Sequence, residues 1–177
     1  MPYKKIGIFG GSFDPPHLGH LEICRHFLNT EKLDQIWVVP CYKHPYSKEM
    51  ASFDDRITMC KFAFGEFFGR VKISDIEKVM GGISYTVSTL ERFITEYPDN
   101  RYYLLLGEDA GDDYRNWKGA KRIENIAKIM LVPRGEGSFI PDISSTEIRK
   151  AIETGGNFRD KVTKEVAVYI VTHGLYS

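Results

Sequence analysis

Apolar residues along this chain follow two alternating patterns. Short, nearly continuous runs occupy residues 6–9, 35–40, 71–75, 101–107 and 128–133, and each reads as a strand buried on both sides. Between the runs, apolar positions recur at helical spacing. Leu21, Ile23, Cys24, Phe27 and Leu28 follow the first run, and Ile57, Cys60, Phe64 and Phe67 follow the second. The second of these helices is expected to open at Phe53 and reach about Phe68, its aromatic stripe facing the core. A later helix enters through residues 83–90, capped by Ser84 or Thr86, and ends near Tyr97 and Pro98. Others are expected over 121–128, from Ser145 or Thr146 onward, and over 164–173, where Gly174 stops the chain's last helix. Strand and helix in alternation predict an α/β fold: a doubly wound parallel sheet of about five strands with C-terminal helices, in a single domain covering 1–177.

Sheets of this kind bind ligands beyond the carboxyl ends of their strands. One such end carries the densest chemistry in the chain, the run Gly10-Gly-Ser-Phe-Asp-Pro-Pro-His-Leu-Gly-His20 between the first strand and first helix. Glycines let a main chain approach a ligand closely, and a helix N-terminus offers unpaired N–H groups and a positive dipole end. His17 and His20, three apart, share one face of the first helical turn. The combination suits an anion, most simply a phosphate chain. Two histidines alone make a poor zinc site, which takes three or four protein ligands. A nicotinamide-dinucleotide oxidoreductase is disfavoured, because Gly7, Gly10 and Gly11 lack G-x-G-x-x-G spacing and Pro40-Cys41 stands where an acid is expected after strand two.

Two further strand ends add candidates. The loop after strand two holds Lys43, His44 and Lys48, a solvated loop or a second phosphate contact. The segment Asp142-Ile-Ser-Ser-Thr-Glu-Ile-Arg149 places a helix start ahead of a forked cation, either a well-capped helix or another phosphate-holding N-terminus. Composition narrows the partners. With 24 basic and 24 acidic residues in 177 the formal net charge is zero, which argues against nucleic acid as principal partner. No apolar run approaches a membrane span, and no secretory h-region precedes the first strand. Three cysteines, Cys24, Cys41 and Cys60, form an odd set without paired spacing, as expected of reduced thiols in a cytoplasmic protein.

The run GGSFDPPHLGH resembles the H-x-G-H signature of nucleotidyltransferases related to class I aminoacyl-tRNA synthetases, whose fold is Rossmann-like. ISSTEIR at 143–149 looks like their downstream signature. GISYTVSTL at 82–90, then GED at 107–109, Trp117, the Val-Pro-Arg end of strand five and the terminal Gly-Leu-Tyr176 are similar to the bacterial nicotinate mononucleotide adenylyltransferase family. That resemblance implies transfer of AMP from ATP to nicotinate mononucleotide, giving deamido-NAD and pyrophosphate, with Mg2+. It implies that His17 and His20 bind the triphosphate and that Gly10, Gly11, Ser12 and Phe13 line the nucleotide pocket. Ile143, Ser144, Ser145 and Thr146 would meet adenine and phosphates, with Arg149 on the phosphates. Tyr85, Thr86 and Trp117 would hold the pyridine ring and its carboxylate, Asp109 a ribose, and His44 and Lys48 the acceptor.

Two stretches depart from the family pattern. The usual Pro-Pro-His-Lys loop is here Lys43-His-Pro-Tyr-Ser-Lys48, and the connection from Arg134 to Ile143 is short, which leaves a homo-oligomer an open expectation. No Lys or Arg lies within the Ser84-Tyr85-Thr86 segment, so recognition of a carboxylate is expected to rest on neutral N–H groups and a helix dipole. Adenylyltransferases for nicotinamide mononucleotide or pantetheine phosphate, and a non-catalytic nucleotide-binding regulator, are the competing readings.

Overall fold

A computed structural model describes residues 3–31, 33–46, 49–107, 111, 113–132, 138 and 140–177. Five parallel strands, β1 (Lys5–Gly11), β2 (Gln35–Pro40), β3 (Val71–Ile73), β4 (Arg101–Gly107) and β5 (Lys128–Val132), form one sheet in the order β3-β2-β1-β4-β5. The strands look continuously apolar because both faces are covered, and successive side chains divide between two cores. On one face Phe9, Ile36, Val38, Leu105 and Val132 meet α1 (Leu18–Asn29) and α2 (Phe53–Ala63). On the other Ile6, Ile8, Trp37, Val39, Leu104 and Leu106 meet α3 (Ile76–Met80), α4 (Thr86–Glu96) and α5 (Ala120–Ile126). Two C-terminal helices, α6 (Ser145–Glu153) and α7 (Lys164–His173), return to the first face through Ile148, Val166 and Ile170, and Gly174 ends α7 with φ 57°.

Several boundaries differ from the sequence expectation. Helix α2 stops at Ala63 rather than near Phe68, since Gly65 lets the chain tighten into a 3-10 turn over Gly65–Phe67 and Phe68 adopts φ 44°. Its buried side is Arg56, Met59, Cys60 and Ala63; Phe64 is buried beyond it, while Ile57 and Phe67 are only partly covered. The short helix α3 was not signalled, being barely longer than a turn. Among the described residues no helix is long and apolar enough to cross a membrane, and all three cysteines are free.

The sheet opens where the site is expected. Strand β1 pairs with β2 through Gly11↔Pro40, but its pairing with β4 ends at Ile8↔Leu104. The carboxyl halves of β1 and β4 therefore part, at the point where the strand order changes direction.

Candidate active site

Residues 12–17 carry the chain from β1 to α1, and buried groups hold them from several sides. Phe13 is 1% exposed and adopts φ 49°, a strained value for a bulky residue that persists only where its surroundings enforce it. The guanidinium of Arg56, itself 1% exposed, donates from Nη1 to Ser12 O at 2.8 Å and from Nε to Ala51 O at 3.0 Å. Buried Asp14 accepts at Oδ1 from Tyr176 Oη (2.7 Å) and Ala51 N (3.1 Å). Its carbonyl accepts from Arg149 Nη1 at 2.7 Å, and Ser145 Oγ donates to Pro15 O at 2.8 Å. Burial first, then the Asp14 carboxylate, raises the pKa of the Tyr176 phenol.

The two histidines emerge from this frame at the start of α1. His17 occupies the N-cap position in extended conformation, and its N–H donates to His20 Nδ1 at 3.1 Å. With Nδ1 accepting, a neutral His20 ring carries its proton on Nε2. The rings stack, centroids 3.7 Å apart, and His20 also leans on Phe13 at 4.9 Å. His17 is buried, so it backs His20 instead of standing open beside it. The glycine of the motif has a steric reason: a Cβ on Gly19 would lie 3.1 Å from the His17 ring. No acidic side chain occupies the first turn of α1, which leaves its positive end for an anion.

Helix α6 brings its N-terminus to the same loop. It starts at Ser145, one of the two expected positions, and its cap is Ser144. Ser144 Oγ accepts from Glu147 N while Glu147 Oε2 accepts from Ser144 N, both at 3.2 Å, a reciprocal capping box. Ser145 is left to grip Pro15. Arg149, 25% exposed at its side chain, bonds Thr146 Oγ1 from Nη2 at 3.2 Å and keeps Nη1 3.8 Å from Asp14 Oδ2. Ile143 is partly buried against the core beneath them.

A cavity of about 510 Å³ fills the gap between the parted strands. Gly10, Gly11 and Ser12 line one part, and His44, Tyr85, Thr86 and Trp117 another, over a floor of Ile8, Val39, Leu104 and Leu106. Tyr85 is the N-cap position of α4 but makes no side-chain cap bond. Neither Ser84 nor Thr86 caps that helix either. Ser84 Oγ accepts instead from Tyr42 N (3.1 Å) and Lys43 N (3.2 Å), pinning the loop after β2. Glu77, also on the cavity wall, is fixed by Thr89 Oγ1 (2.9 Å) and Tyr42 N (3.0 Å). Folding also supplies a cation that the Ser84-Tyr85-Thr86 segment lacks: Lys118 lines the cavity with its ammonium 4.2 Å from the Tyr85 ring centroid.

The sequence-derived residues thus fall into two adjoining groups that share the β1–α1 turn. His17, His20, Phe13 and the α6 start lie around the loop, and Gly10 to Ser12 join it to the cavity with Tyr85, Thr86, Trp117 and His44. Lys48 and Asp109 lie outside the described residues. Reasoning from sequence missed Arg56, Glu77 and Lys118 and read Ser84 as a cap, because their roles come from contacts between segments distant in the chain.

Comparison with known proteins finds relatives along nearly the whole chain. The cytidylyltransferase-like family model matches residues 8–151, from β1 into α6. A relative from Myxococcus xanthus named "Probable nicotinate-nucleotide adenylyltransferase" is 34% identical, over 99% of this chain and 96% of its own. One from Thermus thermophilus with the same name is 35% identical, over 97% and 99%. The chain belongs to the nicotinate-nucleotide adenylyltransferase family. Among solved structures, the Plasmodium falciparum nicotinic acid mononucleotide adenylyltransferase complexed with NaAD superposes with a TM-score of 0.81, covering 98% of each chain at 24% identity, a likeness of fold.

Proposed function

We propose that this member of the family transfers AMP from ATP to nicotinate mononucleotide, releasing pyrophosphate and forming deamido-NAD in the cytoplasm. The observation that carries the reading is the aromatic cavity opening directly onto the glycine turn ahead of His17 and His20. Tyr85 and Trp117 offer faces to a pyridine ring, and the turn and two helix starts offer N–H groups to phosphates.

The acceptor is its own nucleophile. A phosphate monoester is largely dianionic at neutral pH. One of its oxygens bonds to the α-phosphorus of ATP as the bond from that phosphorus to the bridging oxygen breaks, and the electron pair leaves on pyrophosphate. No side chain becomes covalently attached. The protein aligns two anions that repel each other and offsets charge on the leaving group. His20, held by the His17 stack and carrying its proton on Nε2, donates toward the triphosphate. Arg149 and the α6 N–H groups face the same phosphates across the Asp14–Pro15 loop.

Magnesium belongs to the substrate in this scheme. It takes oxygen ligands, which the nucleotide's phosphates would supply, and there it would offset charge on the leaving pyrophosphate.

The test is incubation with ATP, magnesium and separate acceptors, with pyrophosphate release measured. Nicotinate mononucleotide is expected to be used best, and nicotinamide mononucleotide more slowly. Reaction only with phosphopantetheine would replace the assignment, and release with none would make the chain a nucleotide-binding regulator.

A further inference from the structure

The family reading accounts for the aromatic faces of the cavity but assigns nothing to the cation above them. We infer that the Lys118 ammonium reads the negative charge on the acceptor's ring, making it a specificity-determining residue; the inference rests on the activity proposed above.

Lys118 belongs to the ring end of the cavity. It follows Trp117 directly and lies over Tyr85, the two side chains whose faces suit a pyridine. The backbone that carries it is held close to α4. Gly119 adopts φ 75°, and a Cβ there would sit 2.9 Å from Val87, so this segment lies tightly on the first turn that Tyr85 opens. An ammonium resting on an aromatic face is preorganised rather than free to swing. Among the described residues that line the cavity, Lys118 is the only Lys or Arg.

The charge balance of the wall points the same way. Glu77 lines the cavity, with its oxygens committed to Thr89 and Tyr42. A ligand bringing a second carboxylate into that space meets repulsion unless a cation offsets it, whereas a neutral carboxamide needs no such partner. The phosphate end has other donors in the glycine turn and the start of α1. The charge that Lys118 answers is therefore the one on the ring.

Steady-state kinetics of wild type, Lys118→Met and Lys118→Arg with the two pyridine mononucleotides decide the matter. Lys118→Met is expected to lower kcat/KM for nicotinate mononucleotide by at least about tenfold, with at most about a threefold fall for nicotinamide mononucleotide and little change in the KM for ATP. Lys118→Arg is expected to recover most of the loss. Added salt should shrink the acid-to-amide ratio in wild type and leave it flat in Lys118→Met. Equal losses for both acceptors would assign Lys118 to packing or to the phosphate, and an unchanged acid reaction would remove it from recognition; either outcome overturns the inference while the proposed activity stands. A wild-type chain that uses neither pyridine mononucleotide would overturn both.

Discussion

The hydroxyl of Tyr176 donates a 2.7 Å hydrogen bond to Oδ1 of Asp14, tying the segment after α7 to the loop that presents His17 and His20. Asp14 is 1% exposed, and Arg149 and Ala51 bind the same residue. Tyr176→Phe removes one donor from a buried carboxylate, a loss of about 1–3 kcal/mol in stability. Because the loop carries the histidines, kcat should fall more than the KM of either substrate changes. Thermal unfolding alongside steady-state kinetics checks both expectations. A lower Tm with kcat intact would confine Tyr176 to stability.

His20→Ala should lower turnover by about a hundredfold or more, the scale of losing one donor to transition-state charge, with the fold retained. His17→Ala should slow turnover similarly or somewhat less. As His17 is buried beneath its partner, that variant should also destabilise the protein by about 1–3 kcal/mol. Circular dichroism and turnover, measured on the same preparations, separate the two effects.

Arg149→Lys keeps the charge but loses the fork that spans Asp14 O and Thr146 Oγ1. Activity should fall by about tenfold or more while the Tm shifts by only a few degrees. Kinetics indistinguishable from wild type would place Arg149 outside phosphate binding.

The cysteines should separate by reactivity. Cys41 lines the cavity and is partly exposed, whereas Cys24 and Cys60 are buried and burial raises the pKa of both thiols. A disulfide reagent should titrate one thiol in the native protein and all three in denaturant, and acceptor should slow the first. In the unfolded chain these thiols ionise near pH 9, while the native state retains their protons. Stability should therefore fall as pH rises above about 9. Urea midpoints across that range measure the slope.

The strands and most helices were legible because apolar periodicity directly records which faces are covered. Residues 35–40, 101–107 and 164–173 have the bounds expected of them. The two motifs were legible because each is compact: His17 and His20 sit within one turn, and the helix that starts at Ser145 carries Arg149 one turn on. What escaped was physically non-local. Arg56 sits one place from Ile57 in an apolar stripe, and only the fold reveals carbonyls of Ser12 and Ala51 awaiting its guanidinium. Ser84 looked like a cap because serine before a helix usually is one, yet Tyr42 and Lys43 claim its oxygen. Lys118 is remote in sequence from Tyr85, and α5 following Gly119 brings them together.

The parting of β1 from β4 beyond Ile8 and Leu104 gives the sheet a seam that reports its own occupancy. Peptide groups on the facing edges of residues 9–11 and 105–107 have no ladder across the gap, so no strand pairing has to break there before they exchange. Deuterium should enter those amides quickly in the ligand-free protein and slowly once nucleotide fills the gap. The opposite edge of β1, laddered to β2 as far as Gly11 and Pro40, should exchange at one rate in both states.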